Sequence, residues 1–322
     1  MDFDEGLAVF KKPRKLHTNP MSTNPSSHSK AFHVFRALRP NQWTKNIVVL
    51  AAFVFAFGDE TQTLSAQSIK VASLAFGLFC LISSGVYLFN DIKDIESDRL
   101  HPIKKFRPLA SGAISTLMAA FLSFILLAGG LAGAYFLSPP FGYIAATYVA
   151  MQIVYTLWIK HIALVDVFVI AFGFVLRAAA GGVILNVTVS PWLLICAFLL
   201  ALFLALCKRR HEKLLTEDSG NHRPSLTDYD TKLLDQLIAV VSAATIVSYS
   251  IYTLWPETTR KFGTPLVSLT IPFVIFGIFR YLDLVYRKEA GGRPEKVLLS
   301  DVPLIIDLFL YTLTLGCIFL FT

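Results

Sequence analysis

The chemistry-bearing stretch is Asn90-Asp91-Ile92-Lys93-Asp94-Ile95-Glu96-Ser97-Asp98-Arg99, which follows directly on an apolar run from Val71 to Phe89. On a continuous helix Asp91, Asp94 and Asp98 fall at i, i+3 and i+7 and share one face. Three carboxylates on one stripe repel each other, and the C-terminal end of a helix disfavours anions further. A bound cation would relieve both. Oxygen-only donors favour Mg²⁺ or Mn²⁺ over zinc. Read without chemistry, the same residues form a solvated acidic loop between two apolar segments.

Immediately downstream stand His101-Pro102-Ile103-Lys104-Lys105-Phe106-Arg107-Pro108. Carboxylates that hold a divalent ion, with Lys and Arg close by, are what a metal-bound diphosphate needs. A second polar stretch reads Lys208-Arg209-Arg210-His211-Glu212-Lys213 and then Glu217-Asp218. Lys208, Arg209 and Glu212, at i, i+1 and i+4, can project from a helix end toward a shared cavity. Arg223, Ser225 and Tyr229 follow, spaced to line a loop and the start of the next helix. Arg177 lies inside the apolar run Phe168 to Val187. An intramembrane arginine costs several kcal/mol unless it faces a polar cavity or a partner. Either it meets an anionic substrate or it pairs with a buried carboxylate; Asp166, eleven residues earlier, shares its face. Tyr155 and Lys160 close the preceding apolar segment, and Gly181-Gly182 suits close helix packing.

The elements that must position these residues are membrane helices. Of 322 residues, 55% are hydrophobic and only 16% charged. Mean hydropathy is +0.60. Long apolar runs without period-2 alternation predict an all-α, polytopic helix bundle around a central cavity. Nine spans are expected, near 45–58, 71–90, 113–137, 141–158, 163–185, 191–207, 235–255, 265–285 and 303–321. Residues 1–30 read as a disordered tail with a basic cluster at Lys11, Lys12, Arg14 and Lys15, and residues 31–322 as the transmembrane domain. Phe32, Phe35 and Leu38 predict a short helix on the membrane surface. No apolar h-region precedes it, so the first span is expected to act as its own insertion signal. Cys80, Cys196, Cys207 and Cys317 show no paired spacing and read as packing residues.

The formal charge of +7 does not point to nucleic acid, because the basic residues follow membrane topology. With the N-terminus in the cytoplasm, the cytoplasmic segments hold 25 of the 29 Lys and Arg residues. The opposite side holds Lys70, Arg260 and Lys261. This asymmetry predicts N-terminus in, C-terminus out, and a site facing the cytoplasm on the long loops 91–112 and 208–234. Phosphate-loop, dinucleotide-binding and zinc-protease motifs are lacking.

Asn90-Asp91-x-x-Asp94-x-x-x-Asp98 at the end of the second apolar helix resembles the first aspartate-rich motif of the UbiA superfamily of intramembrane prenyltransferases. The resemblance runs along the whole chain after residue 31. The family's second motif, D-x-x-x-D, is replaced here by Lys208-Arg209-Arg210-His211-Glu212. With Arg39-Pro40-x-Gln42-Trp43-x-Lys45-Asn46, Arg107-Pro108 and Leu176-Arg177-Ala178, the chain resembles the decaprenyl-phosphate phosphoribosyltransferase branch. That branch moves phosphoribose from 5-phosphoribosyl 1-diphosphate (PRPP) to a polyprenyl phosphate. The resemblance implies Mg²⁺, or Mn²⁺, held by Asn90, Asp91, Asp94 and Asp98 with help from Glu212. It implies phosphates clamped by Lys104, Lys105, Arg107, Arg177, Lys208 and Arg209, with Arg39, Lys45, Tyr155 and Lys160 also facing substrate. It places the enzyme in the inner, cytoplasmic membrane and leaves room for a homo-oligomer. Two other readings stay open: prenylation of an aromatic acceptor, and transport of an anionic or lipid-linked solute.

Overall fold

The computed structural model describes residues 29–57, 65–101, 103–219, 229–288, 291–292 and 294–321. The basic tail cluster, Arg223 and Ser225 lie outside these residues. All regular structure among them is helical. In chain order the helices are α1 (Lys30–Ala37), α2 (Val48–Phe57), α3 (Ala66–Lys93), α4 (Ile95–Leu100), α5 (Thr116–Leu137), α6 (Pro139–Leu157) and α7 (Val165–Leu185). Then come α8 (Pro191–Ser219), α9 (Thr231–Leu254), α10 (Pro256–Lys261), α11 (Ile271–Arg287), α12 (Pro294–Ser300) and α13 (Val302–Phe321).

Each expected span coincides with one of these helices. Seven helical segments, including Leu266–Arg287, which ends in α11, are long and apolar enough to cross a bilayer. Helix α2 is only 10 residues long and is led in by a 3₁₀ segment, Pro40–Ile47. The surface helix is present as α1, with Ser29 accepting from the Phe32 amide as its N-cap and Phe32 and Phe35 exposed.

Helix α8 corrects one expectation. The stretch after residue 207 does not open into a loop; the helix runs unbroken to Ser219, 29 residues in all, or about 43 Å. That exceeds the roughly 30 Å hydrocarbon thickness, so the Lys208–Glu212 stretch is carried on a rigid rod. No glycine or proline interrupts it after Pro191, which explains the continuity.

Helix α7 is the shared wall of two apolar cores. Ala180 and Ile184 pack with Val49, Phe79, Ile82, Phe141 and Tyr148 from α2, α3 and α6. Val167 and Ala171 pack with Phe203, Leu206, Ile238 and Tyr281 from α8, α9 and α11. Gly181 lets α2 approach this closely, since a Cβ there would sit 2.1 Å from the Val49 carbonyl oxygen. A third small core of Ala37, Leu88, Leu109, Ile114 and Ala119 fastens α1 and the loop after α4 to the end of α3. The polar ends of α3, α4, α6, α7 and α8 are thereby brought together.

Candidate active site

Helix α3 ends at Lys93 and α4 starts at Ile95, with Asp94 at the break (φ −98°, ψ 6°). The acidic stretch is therefore not one helical stripe. The break separates like charges: Asp91 and Asp98 turn to one side and Asp94 to another. Arg107 bridges the first pair, donating from one Nη1 to Asp91 Oδ1 at 3.0 Å and to Asp98 Oδ2 at 2.5 Å. Arg39 also pairs with Asp91 and lies 5.2 Å from the centre of the Tyr87 ring. It reaches there because its backbone sits in the left-handed region (φ 53°), a conformation that costs a non-glycine residue about 1–2 kcal/mol. Lys160 pairs with Asp94. Asn90 donates to Asp94 Oδ2 at 3.0 Å and accepts from Thr156 Oγ1 at 3.4 Å. Asp91, Asp98 and Lys160 are buried. Three carboxylates thus meet three cations drawn from three separate segments.

A second charged centre lies on α7 and α8. Asp166, fully buried, accepts from Arg209 Nε at 2.7 Å, from the Tyr229 hydroxyl at 2.7 Å and from the Val167 amide at 2.9 Å. Arg209 also donates to Glu212 Oε2 at 2.5 Å, and Lys208 stands 3.9 Å from the other Glu212 oxygen. Tyr155 is within electrostatic reach of Arg209. His101 links the centres. Burial, then Lys104, holds its imidazole below the ordinary range, while Asp98 and Glu212 act in the opposite sense.

Arg177 is buried and held by neutral acceptors: Asn46 Oδ1 at 2.9 Å, the Gly173 carbonyl at 2.9 Å and the Tyr148 hydroxyl at 2.7 Å. Its guanidinium lies 4.6 Å from the Tyr148 ring centre. It pairs with no carboxylate among the described residues. Asp166, on the same face of α7, turns instead to Arg209.

The structure therefore gathers Asn90, Asp91, Asp94, Asp98, Arg39, Arg107 and Lys160 into one cluster and Lys208, Arg209 and Glu212 into its neighbour. Lys105 points away, exposed, toward the Phe106 ring. Lys45 is half-buried beside Asn46. Arg210 faces elsewhere, on Asp235 at 2.6 Å and over Tyr286. Asn46 and His101 stand in stretches that the sequence marks, the first beside Lys45 and the second between the acidic and basic runs; Tyr148 and Thr156 carry no sequence signal.

The polar end of this membrane helix bundle thus couples neutralised carboxylates to a separate arginine centre. The chain belongs to the UbiA prenyltransferase family, whose pattern matches residues 46–300. It is 35% identical over 269 residues to a decaprenyl-phosphate phosphoribosyltransferase of Mycobacterium tuberculosis, covering 83% of this chain and 88% of the relative. A protein of the same name from Mycolicibacterium smegmatis is 34% identical over 302 residues, covering 90% and 93%. The fold matches a UbiA homolog from Archaeoglobus fulgidus solved with GPP and Mg²⁺, at a TM-score of 0.67 and 21% identity, over 89% of this chain and 99% of that one.

Among the described residues no three His, Cys, Asp or Glu side chains are grouped to hold an ion together, and Glu212 belongs to the second centre. Asp91 and Asp98 do converge on a single cationic nitrogen. Their hard oxygens are donors that Mg²⁺ accepts. Asp91 and Asp98 would hold such an ion between them.

Proposed function

We propose that this protein transfers the 5-phosphoribosyl group of PRPP to a polyprenyl phosphate and releases diphosphate. The observation that carries the reading is the pair of cations on α8, Lys208 and Arg209, held among Asp166 and Glu212. Arg209 and Lys208 stand where an ordinary prenyl diphosphate site would offer carboxylates, and PRPP brings a 5-phosphate that needs such cations. The names of the mycobacterial relatives agree.

Asp91 and Asp98 would hold Mg²⁺, with Asn90 and Asp94 beside them. When bound, the metal neutralises charge on the departing diphosphate. Arg39, Arg107 and Lys160 exchange their aspartate partners for phosphate oxygens. Arg209 and Lys208 hold the 5-phosphate end, and Arg177 supplies positive charge from deeper in the bundle. The bond from ribose C1 to the diphosphate oxygen breaks with its electron pair on diphosphate. An oxygen of the lipid phosphate forms the new bond to C1. That nucleophile is already anionic, so no residue needs to remove a proton. Catalysis rests on fixed charges and on holding two anions together. The asymmetry of basic residues supports a site on the cytoplasmic face of the inner membrane.

The test is to incubate protein in nanodiscs with MgCl₂, PRPP and decaprenyl phosphate and to follow lipid-linked phosphoribose and diphosphate by mass spectrometry. Product that disappears with EDTA is expected. Product only with a prenyl diphosphate and 4-hydroxybenzoate would refute the reading in favour of aromatic prenylation. Silence in both arms would refute it in favour of a non-enzymatic role.

A further inference from the structure

The pair Asp166–Tyr229 is unused by the mechanism above, yet both side chains are buried; Asp166 accepts from Arg209, on which that mechanism relies, and Tyr229 donates to Asp166. Arg209 has five N–H donors. Nε goes to Asp166 and one Nη1 hydrogen to Glu212. The guanidinium is thus held at two of its three nitrogens, on opposite sides, and Nη2 takes no part in these bonds. Asp166 cannot turn away, because its other oxygen is held by the Tyr229 hydroxyl and the Val167 amide. Tyr229 is fixed in turn by the Leu164 amide, which donates to its hydroxyl at 2.7 Å. Leu164 is one of three non-glycine residues with positive φ among the described residues (67°), so the strained entry to α7 is part of the same latch. Burial and the neighbouring carboxylate raise the Tyr229 phenol above its ordinary range, so it stays a donor at any working pH.

We propose that Tyr229 and Asp166 are positioning residues that lock the Arg209 guanidinium in the orientation in which it meets the phosphoribosyl donor. This rests on the assignment of Arg209 to donor binding. A free arginine side chain loses rotamer entropy when it binds phosphate; a latched one has lost it on folding. The latch therefore acts on donor affinity and not on the chemical step.

Tyr229→Phe removes one hydroxyl and keeps the ring. The expected result is a 5- to 20-fold rise in KM for PRPP, with kcat and KM for decaprenyl phosphate within about twofold of wild type. Asp166→Asn is expected to do the same more strongly. The decisive measurement is a double-mutant cycle with Arg209→Ala, read both as Mg-PRPP affinity by calorimetry and as Tm of the unliganded protein. If Tyr229 acts through Arg209, Tyr229→Phe has little further effect on affinity once Arg209 is gone. Equal fold-changes in both backgrounds, an unchanged KM, or a Tm loss with no affinity change would overturn the latch. Failure of wild type to bind Mg-PRPP at all would overturn the donor assignment instead. The Tm cycle would then judge the latch: coupling between Tyr229 and Arg209 keeps it, and strict additivity removes it.

Discussion

Replacing Arg177 by methionine separates a structural arginine from a functional one. The side chain is 4% exposed and bonded to Asn46, Gly173 and Tyr148. Its loss orphans Asn46 Oδ1 and the Tyr148 hydroxyl, at about 1–3 kcal/mol each. The Gly173 carbonyl lies within a helix and keeps its helical bond. Against this, removal of a buried cation that no carboxylate neutralises relieves a desolvation penalty of several kcal/mol. The two effects nearly cancel, and methionine fills much of the volume. Stability is expected to change by no more than about 2 kcal/mol, a shift of at most about 8 °C in Tm. Donor turnover behaves differently. A phosphate about 4 Å away at an effective dielectric near 20 is worth about 4 kcal/mol, so kcat/KM for PRPP should fall about 10³-fold. The assay is a Tm in nanodiscs beside initial rates per folded molecule. A large Tm loss with near-normal kcat/KM would show that Arg177 is only a tie between α2, α6 and α7.

Other outcomes follow from the same geometry. Lys160→Met strips Asp94 of its cation, and KM for PRPP is expected to rise at least 10-fold; adding Asp94→Asn should recover Tm but not activity, and recovered activity would refute the role of Lys160. His101 is held below its ordinary value of 6.5, so the folded state disfavours its protonation. That contribution to stability is present above pH 6.5 and is lost as pH falls below it. His101→Gln should flatten the drop in Tm between pH 7.5 and 5.5, and an unchanged drop would dismiss the residue. Asp301 accepts from the Leu304 amide at the start of α13 and pairs with Arg280. Asp301→Ala should cost about 1 kcal/mol of stability and leave rates per folded molecule unchanged; altered rates would tie this outlying pair to catalysis.

The helices were legible because apolar runs must form them in lipid, and the charged residues were legible because they stand out against such runs. Their partners were not. The spacing of Asp91, Asp94 and Asp98 assumes one unbroken helix; Asp94 instead sits at the break between α3 and α4, and its partner Lys160 comes from 66 residues further along the chain. Asp166 and Arg177 share a face of α7, yet α8 passes beside Asp166 and Arg209 arrives first. The run past Cys207 carries the polarity of a loop, yet α8 continues through it, with Arg209 on Asp166 and Arg210 on Asp235. In each case the deciding contact joins residues far apart in sequence, and no local pattern encodes it.

The matched aspartates and cations have a consequence for selectivity. A bare metal ion meets carboxylates that already have counterions, and a lone orthophosphate meets cations that are already engaged. Only a visitor that delivers both signs in one event lets every pair re-form with a new mate. On the proposed function, the resting cluster would act as a coincidence gate, exchanging its pairs for a metal–diphosphate complex that arrives as a unit rather than for either ion taken singly.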